Sequence, residues 1–453
     1  MTHLAEKYLV IGTGISGIAA CNLLQKNQKN LVLFDGNDQL DMVAFKAKQP
    51  SLADVEMYVG KLPDPVLDSI TVAVLSPGVP TDLPLVEDMR KCGITISGEI
   101  ELAYQMGAGS LVAITGTNGK TTTTALTGEI MKRHFDDVRV VGNIGIPYTQ
   151  EAATMTTDTV TVAEISSFQL ETISTFAPHV SAILNITPDH LNRHHTMANY
   201  IQAKEDITKY QTASDVTVLN YEDEVLREFG GKLHHKVVYF SSARELEEGL
   251  YYKDGVIYWN RNGATEEVIP VNELQILGLH NYENVMAAVA MADAMGVTME
   301  EIREALRAFV AVEHRIEYVC EKRGVRFYND SKGTNPDAAI KGILAMDRKT
   351  CLIGGGYDKE STYDEWIESF GDKVKLLVLI GQTREKIAEC CKKHGFNDYV
   401  FAETLEEAID RCYETAASGE AVLLSPACAS WGMFKNYEER GRIFKEYVRN
   451  LAE

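Results

Sequence analysis

The chain has 453 residues, of which 45% are hydrophobic, and its formal net charge at pH 7 is −21. A chain of this length exceeds one ordinary hydrophobic core, and its length favours about three domains. The negative charge argues against nucleic acid or an acidic membrane as the main partner, although local basic sites for a nucleotide are compatible with it.

The eight cysteines are scattered and form no CxxC pair. Their pattern fits neither a disulfide framework nor a zinc site, so we interpret them as mostly buried thiols in a reducing compartment. Residues 1–7 lack the charged-then-apolar layout of a signal peptide, and no apolar run approaches the length of a membrane span. We therefore expect a soluble cytoplasmic protein without nucleic-acid or membrane partners, and we expect a monomer.

The first hundred residues alternate short apolar runs with helical patterns, which indicates a parallel sheet with helical crossovers. Gly12-Thr13-Gly14-Ile15-Ser16-Gly17 follows the first run, and Asp35 ends the next run, Leu31–Phe34. This layout is typical of a dinucleotide site, with a diphosphate at the helix N-terminus and an acid near a ribose hydroxyl. Taken alone, this layout predicts a site for NAD or FAD. The same glycines are also needed wherever a strand and a helix pack closely. Any diphosphate-linked nucleoside could use the same N–H donors. Ser76-Pro77-Gly78 follows another run and is either a ligand loop or an ordinary turn.

The most informative motif begins after the apolar run Leu111–Ala113 and reads Ile114-Thr115-Gly116-Thr117-Asn118-Gly119-Lys120-Thr121-Thr122. Its glycines let the backbone approach phosphate oxygens, the following helix adds N–H donors, and Lys120 adds a positive charge. Thr121 is placed to offer its hydroxyl to a nucleotide-bound Mg²⁺. Ile114 replaces the first glycine of the usual GxxxxGK[ST] pattern, which indicates a shorter variant loop. The alternative, a glycine turn with a solvated lysine, is disfavoured by the strand, loop and helix context.

Other strand ends of the central section also carry polar residues. Glu164 ends a buried-looking strand at the same sheet edge as the phosphate loop, so its carboxylate suits either Mg²⁺ or a cap on the next helix. Asn143 follows a neighbouring strand. In the histidine-rich segment Asp189–His195 the spacing is poor for zinc, and His190 is best placed to reach a hard cation. The local pattern around Lys204 indicates a solvated lysine.

Hairpin signals at Asp254-Gly255 and Asn262-Gly263 predict a small antiparallel meander at the end of the central section. An Ala-rich helix follows, and a third α/β section begins near residue 312. We therefore predict an α/β protein with domains 1–98, 99–311 and 312–453. The first is a Rossmann-like parallel sheet, the second a P-loop ATPase-like sheet with the meander, and the third a Rossmann-like α/β domain.

The Ala-rich helix and the third section contribute further candidates. At the start of the Ala-rich helix, Asn281 or Asn284 suits an adenine contact or a helix cap. Arg315 suits bidentate phosphate recognition, and it is equally well explained as a surface arginine at a domain joint. Dense polar sets on strand-end loops are usually functional and can line one ligand crevice. These loops are Asn329–Pro336, Gly354–Lys359 and Ser425–Ser430.

Taken in chain order, five segments resemble the motifs of the Mur ligase family across the whole chain. They are Gly116–Thr122, Glu164–Ser167, His280-Asn281, His314-Arg315 and Asn329–Lys332. Within that family, Ser425–Ser430, Ser76-Pro77-Gly78 and Asn143 resemble the branch that adds D-glutamate. The resemblance implies an ATP-dependent, ADP-forming amide ligase of peptidoglycan precursor synthesis. Its implied substrates are UDP-N-acetylmuramoyl-L-alanine and D-glutamate, which it joins through an acyl phosphate.

The resemblance also implies roles for individual residues. Two Mg²⁺ ions are implied, one at Thr121 and Glu164 and one at His190 and Lys204, with the lysine carried as a carbamate. Implied ATP contacts are Gly116, Thr117, Asn118, Gly119, Lys120, Thr121, Thr122, Asn284, Arg315 and Asp330. Implied UDP-substrate contacts are Gly14, Ile15, Ser16, Asp35, Gly78 and Asn143. Implied D-glutamate contacts are Lys332, Thr334, Lys359, Ser430 and Tyr437. The implied catalytic residues are Lys120, Glu164, His190, Lys204 and Lys332.

Two positions depart from the family pattern, since Trp431 stands where leucine is common and Tyr437 where phenylalanine is frequent. Three alternatives remain at this point. Another ligase of the superfamily, such as folylpolyglutamate synthase or a different Mur ligase, would share the ATP site. An NAD-dependent oxidoreductase would leave the phosphate loop and the third section without a role. A P-loop ATPase with a mechanical or regulatory role would not need the N-terminal nucleotide layout.

Overall fold

The computed structural model describes residues 6–143, 145–310 and 313–452. The described residues belong to two compact units, one within Met1–Pro270 and Glu283–Leu306 and the other within Val271–Tyr282 and Arg307–Glu453. The boundary predicted near residue 311 falls on residues outside the described ranges, and the division into three domains at residues 98 and 311 stays a prediction.

The N-terminal sheet is parallel throughout, with strand order β3-β2-β1-β4-β5. Its strands are β1 (Lys7–Ile11), β2 (Asn30–Asp35), β3 (Glu56–Val59), β4 (Val72–Leu75) and β5 (Thr95–Gly98). Its helices are α1 (Ile15–Lys26), α2 (Met42–Lys48), α3 (Asp64–Leu67), α4 (Pro84–Lys91) and α5 (Glu99–Met106). The chain leaves β1 and β4 toward opposite sides of the sheet, so the loops after these two strands open a crevice of the kind in which α/β sheets bind ligands.

The central sheet has the order β14-β13-β12-β11-β10-β9-β6-β8-β7. Its strands are β6 (Ser110–Thr115), β7 (Val138–Gly142), β8 (Val160–Glu164), β9 (Val180–Ile183), β10 (Val216–Asn220), β11 (Lys236–Ser241), β12 (Gly249–Lys253), β13 (Val256–Arg261) and β14 (Ala264–Pro270). The helices that follow α5 are α6 (Lys120–Met131), α7 (Tyr148–Ala152), α8 (Ser167–Leu170), α9 (Leu191–His194), α10 (Met197–Glu205), α11 (Glu224–Gly230), α12 (Leu279–Ala294) and α13 (Met299–Ala308).

The central sheet is parallel up to the pairing of β11 with β12, and β12, β13 and β14 then form the predicted antiparallel meander. Asp254 and Gly255 have φ of 48° and 83°, and Asn262 and Gly263 have φ of 55° and 74°. Two consecutive positive φ values define the tight hairpin turn that matches the twist of the strands. In the parallel part β6 lies between β8 and β9, and β6 and β8 are buried almost along their whole length.

The C-terminal sheet has the order β15-β16-β20-β17-β18-β19. Among the described strands of this sheet, β15 pairs with β16 in the antiparallel direction, and the other neighbours pair in parallel. Its strands are β15 (Glu317–Lys322), β16 (Val325–Asn329), β17 (Thr350–Gly355), β18 (Val374–Ile380), β19 (Tyr399–Phe401) and β20 (Ala421–Leu424). Its helices are α14 (Pro336–Ala345), α15 (Asp364–Glu368), α16 (Arg384–Lys393), α17 (Leu405–Thr415) and α18 (Tyr437–Asn450). Across the described part of the chain, the helices are too short or too polar to traverse a bilayer.

Candidate active site

The loop between β6 and α6 is built around two glycines with positive φ. Gly116 has φ of 149° and Gly119, the residue before the helix, has φ of 87°. A Cβ on Gly119 would lie 2.4 Å from Oδ1 of Asn284, so a side chain does not fit there. Gly119 stands before α6 and has no side chain to cap it, and the N-terminus of a helix that follows a glycine loop favours an anion.

Asn185, just beyond β9, fixes the outer part of this loop. Its carbonyl oxygen accepts from the Thr117 amide at 2.9 Å, and its Oδ1 accepts from the Asn118 amide at 2.8 Å. Its side-chain amide donates back to the carbonyl oxygen of Asn118 at 3.1 Å. These three hydrogen bonds hold the outer part of the loop in place. Sequence reasoning did not single out Asn185, because its partners lie in a loop distant in sequence.

Two lysines converge on this loop. Lys120 Nζ donates to the carbonyl oxygens of Gly116 at 2.9 Å and Thr117 at 3.0 Å. Lys204 Nζ, from α10, donates to the same Gly116 oxygen at 2.8 Å. Lys204 is only 2% exposed, so the interpretation of Lys204 as a solvated lysine is wrong. Its burial and the neighbouring charge of Lys120 lower the pKa of Lys204 well below its ordinary value.

Glu164 is the last residue of β8 and is 2% exposed. Its Oε1 accepts from Nδ2 of Asn143 at 3.1 Å. The carboxylate oxygens are buried at the end of the strand that pairs with β6, and carboxylate oxygens are the ligands that Mg²⁺ prefers. The helix after β8 is capped by Ser166, which forms a capping box with Gln169, so the alternative of Glu164 as that cap is wrong.

The segment that carries His190 is anchored to α8. Nε2 of His194 shares a hydrogen bond with Ser167 Oγ at 2.9 Å, and its Nδ1 lies 3.3 Å from Glu171 Oε1. Burial lowers the pKa of His194, so its neutral form is favoured in this chain of contacts. His190 packs edge-on against Phe168, with 4.9 Å between ring centroids, and its side chain is 52% exposed. The anchor therefore leaves His190 accessible while fixing the helix that follows it.

Asn284 reaches the phosphate loop from α12, and Thr123 Oγ1 donates to its Oδ1 over 3.1 Å. Asn284 thus lies at the start of α6. Asn281, the other asparagine considered, donates from Nδ2 to the carbonyl oxygen of Leu277 at 2.7 Å.

In the N-terminal sheet, Thr13 connects the glycine loop to Asp35. Its amide and hydroxyl donate to Asp35 Oδ2 at 3.0 and 2.6 Å. Burial opposes ionisation of this carboxyl, but the hydrogen bonds from Thr13 and Asn37 lower the pKa of Asp35 overall. The loop is tightly packed, since a Cβ on Gly12 would lie 2.6 Å from Ser76 Oγ. The buried Ser76 hydroxyl has no hydrogen-bond partner among the described residues.

The neighbouring residues of that loop lie open. A Cβ on Gly14 or on Gly78 would meet nothing within 4 Å, and Ile15, the first residue of α1, is 71% exposed. Gly14 stands before α1 without a side-chain cap, so the first N–H groups of the helix are available to an anion. Ser16 in the first turn is half-buried. Ile144 follows Asn143 and lies outside the described residues.

The three polar loops of the C-terminal sheet follow β16, β20 and β17, which are adjacent strands. Asp330 and Ser425 join two of these loops, because Ser425 Oγ donates to Asp330 Oδ2 at 2.7 Å. Burial raises the pKa of Asp330 to about 7, against the opposing effects of Ser425 and Arg315. Lys332 and Thr334 follow within the same half-buried loop.

Arg440, in α18, is fully buried and hydrogen-bonds to two of these loops. Its guanidinium donates to Ser331 Oγ at 2.9 Å, to the Ser331 carbonyl oxygen at 2.8 Å, and to the Cys428 carbonyl oxygen at 3.3 Å. Burial lowers the pKa of Arg440 to about 10, so the group is still charged at neutral pH. Sequence reasoning missed this residue, because an arginine in an amphipathic helix gives no signal that it points inward.

Two lysines among the candidate site residues of this unit lie near aromatic rings. Lys332 Nζ lies 5.5 Å from the ring centroid of Tyr437. Lys359 Nζ lies 5.4 Å from the ring of Trp431, which itself lies 5.7 Å from the ring of Tyr357. Trp431 directly follows the buried Ser430. The structure thus brings Lys332 to Tyr437, and Lys359 to the loop of Ser430.

Comparison with known proteins finds three family models that match successive parts of the chain. Residues 6–98 match the Mur ligase MurD-like N-terminal domain, residues 114–292 the Mur ligase middle domain, and residues 314–428 the Mur ligase glutamate ligase domain. The chain belongs to the Mur ligase family. The predicted family and the predicted α/β architecture are therefore confirmed.

Individual members of the Mur ligase family align over nearly the full chain. UDP-N-acetylmuramoylalanine–D-glutamate ligase from Lachnoclostridium phytofermentans is 56% identical over 100% of both chains. The enzyme of that name from Lachnospira eligens is 53% identical over 98% of both chains. The crystal structure of MurF ligase from Thermotoga maritima in complex with ADP has a TM-score of 0.59 at 16% identity, and covers 99% of this chain and 97% of that one. The last likeness shows a shared fold.

Proposed function

We propose that this chain joins D-glutamate to UDP-N-acetylmuramoyl-L-alanine and converts ATP to ADP and phosphate. The observation that carries the proposal is the convergence of Lys120 and the buried Lys204 on the Gly116 carbonyl oxygen, in a glycine loop that leads into the N-terminus of α6. A loop of this kind binds the phosphates of a nucleotide. The full-length likeness to D-glutamate ligases supports the choice of substrates.

In the first step, a carboxylate oxygen of the UDP-sugar attacks the γ-phosphorus of ATP. A new P–O bond forms, the bond from that phosphorus to the bridging oxygen breaks, and ADP leaves with the electron pair. The product is an acyl phosphate, which has a good leaving group where the carboxylate had none. Lys120 and the N–H groups of α6 neutralise charge on the phosphates and align them, which is how phosphoryl transfer is mostly accelerated. The proposed ATP contacts include residues 116–122, Asn284, Arg315 and Asp330.

The donor set beside the loop fits magnesium. Thr121 and Glu164 would hold one Mg²⁺, and His190 with Lys204 would hold a second. When bound, Mg²⁺ neutralises phosphate oxygens and orients them. An ammonium does not bind a cation, so Lys204 must first change its chemistry. Its lowered pKa favours the neutral amine, whose lone pair adds to CO₂ and, with loss of one proton, gives an anionic carbamate.

In the second step, the D-glutamate amine attacks the acyl carbon, the C–O bond to phosphate breaks, and the amine releases a proton as the amide forms. The proposed D-glutamate contacts are Lys332, Thr334, Lys359, Ser430 and Tyr437. Ammonium groups such as Lys332 and Lys359 suit the carboxylates of this amino acid, and aromatic rings lie against both in the structure.

The N-terminal crevice is proposed to hold the uridine diphosphate through Gly14, Ile15, Ser16, Asp35 and Gly78, with Asn143 nearer the sugar. The open N-terminus of α1 suits the diphosphate, and the unpartnered Ser76 hydroxyl gains a partner there. An NAD site is not required by this geometry. We also propose that the enzyme acts in the cytoplasm, as a monomer.

A phosphate-release assay tests the proposal. We expect turnover only when ATP, Mg²⁺, UDP-N-acetylmuramoyl-L-alanine and D-glutamate are all present, and we expect Lys120→Ala to abolish it. The panel includes L-glutamate with a folate acceptor and meso-diaminopimelate with its own acceptor. Turnover with either of these instead of D-glutamate would identify another ligase of the superfamily and overturn the assignment.

A further inference from the structure

A cluster of potential metal ligands lies on the C-terminal unit, on helices that carry none of the site residues described above. Asp364 begins α15, while Cys390 lies near the end of α16 and His394 directly follows that helix. One ligand atom from each of these three residues lies within 4.8 Å of the others. Among the described residues, this is the group of three histidine, cysteine or acidic side chains whose potential ligand atoms lie this close together.

We propose that Asp364, Cys390 and His394 bind one zinc ion or a similar thiophilic divalent cation. The proposal stands on the geometry of the three side chains and on the contacts that orient the histidine.

The sequence spacing places two of the ligands on one helix face. Cys390 and His394 are four residues apart, which is one helical turn, so their side chains point to the same side. Asp364 comes from the adjacent helix and is far away in sequence. The absence of a CxxC pair therefore says nothing about this site. A thiolate, an imidazole and a carboxylate form a set that zinc accepts, with a fourth position for water.

The ring of His394 is held by carboxylates on two sides. Its Nε2 lies 2.8 Å from Asp364 Oδ1, and its Nδ1 lies 3.3 Å from Glu368 Oε1. Carboxylates therefore face both ring nitrogens, and when a metal takes Nε2 and Asp364 together, Glu368 is left to accept the Nδ1 proton, as outer carboxylates do in many zinc sites. Two ligand atoms on one tetrahedral zinc lie about 3.4 Å apart for N and O. The observed N–O pair therefore has to open by only a fraction of an ångström.

Binding changes the protonation and pairing of the cluster in a defined way. The Cys390 thiol, whose pKa is raised by burial, releases one proton as its sulfur binds the metal. The imidazole binds through unprotonated Nε2 and keeps its proton on Nδ1, toward Glu368. Lys393 Nζ pairs with Asp364 in the metal-free chain, and this exposed lysine turns to solvent when the metal takes its place. One thiolate and one carboxylate then balance the two charges of the ion.

Cobalt substitution of the full chain tests the site. After removal of metals by a chelator, Co²⁺ is added in the presence of excess Mg²⁺, which occupies oxygen-ligand sites. We expect a near-ultraviolet thiolate-to-cobalt charge-transfer band that saturates at one ion per chain and disappears when Zn²⁺ is added. His394→Gln should weaken binding by about 10-fold or more, and Lys393→Ala should tighten it because a competing cation is removed.

A matched cysteine control separates the site from any other thiol. Cys390→Ser should remove the band, whereas Cys92→Ser, which changes an exposed cysteine elsewhere, should leave it unchanged. Melting temperatures of both variants without metal check that each is folded, and Zn²⁺ should raise only that of Cys92→Ser. Absence of the band in the unmodified chain, or its persistence in Cys390→Ser, would show that the cluster is an ion-pair network only.

Discussion

Lys204 and Lys120 donate hydrogen bonds to a single acceptor, the carbonyl oxygen of Gly116, at 2.8 and 2.9 Å. Two ammonium groups at one oxygen repel each other, and Lys204 is the more deeply buried of the two. Its pKa is therefore lowered, and the arrangement favours loss of its charge. A carbamate at Lys204 would replace the repulsion with attraction toward Lys120.

Removing the Lys204 side chain should remove the carbamate oxygens that are proposed to hold the second Mg²⁺. We expect Lys204→Ala to lose activity by about 100-fold or more, as happens when a group that stabilises transition-state charge is deleted. Acetate or formate in solution should restore part of it, measured by phosphate release. Lys209→Ala, which changes an exposed lysine beyond the same helix, should keep full activity. An unimpaired Lys204→Ala enzyme would exclude the carbamate.

Gly119 is predicted to tolerate no side chain. Both Gly119→Ala and Gly93→Ala place alanine at positive φ, which costs about 1–2 kcal/mol in each case. Only the methyl group at Gly119 meets Asn284 Oδ1, at 2.4 Å, whereas the one at Gly93 meets nothing within 4 Å. We therefore expect kcat/KM for ATP to fall by about 100-fold in Gly119→Ala and to stay near normal in Gly93→Ala. Equal effects in initial-rate measurements would contradict this account of the loop.

Asp330 predicts a pH dependence of stability. Its pKa rises from 3.8 to about 7 on folding, so between these values the folded chain binds a proton that the unfolded chain has lost. The free energy of unfolding should therefore fall as pH rises from about 4 to 7, by on the order of 4 kcal/mol, and level off above that range. Asp330→Asn mimics the protonated acid and should flatten this part of the profile. Urea unfolding at several pH values measures both, and parallel profiles would refute the assignment.

Trp431 should contribute to amino-acid binding through Lys359. Loss of the cation–π contact is worth about 0.5–1 kcal/mol, so Trp431→Leu should raise KM for D-glutamate about 2- to 5-fold. KM for ATP should not change. Tyr318→Leu alters an aromatic residue of similar exposure on β15 and serves as the control. A rise in both Michaelis constants would indicate a general structural effect instead.

Much of the fold follows from sequence because the central strands are uninterrupted apolar runs. The apolar runs Leu31–Phe34 and Leu111–Ala113 lie within the strands Asn30–Asp35 and Ser110–Thr115. The edge strands Glu56–Val59 and Tyr399–Phe401 were not predicted. Each pairs with a neighbouring strand on one side only, and most of its residues are half-exposed, so it lacks a continuous apolar run. Such strands are held by backbone pairing with a neighbour, which composition does not reveal.

The candidate site likewise has parts that the local sequence predicts and parts that depend on tertiary packing. The phosphate loop is local, so its glycines and Lys120 predict its shape. The burial of Lys204 depends on α10 packing beneath that loop, and the contact of Thr13 with Asp35 depends on pairing of β1 with β2. These relations join residues far apart in sequence. Local pattern predicts which side chains are polar, whereas tertiary packing decides which of them become buried partners.

The buried guanidinium of Arg440 has a consequence for how the protein is made. It hydrogen-bonds to Ser331 and Cys428, yet it belongs to α18, which follows both loops in the sequence. During synthesis, the loops after β16 and β20 emerge from the ribosome before their support exists. A nascent chain that stops short of α18 would carry every loop residue and still lack the guanidinium that hydrogen-bonds to both loops.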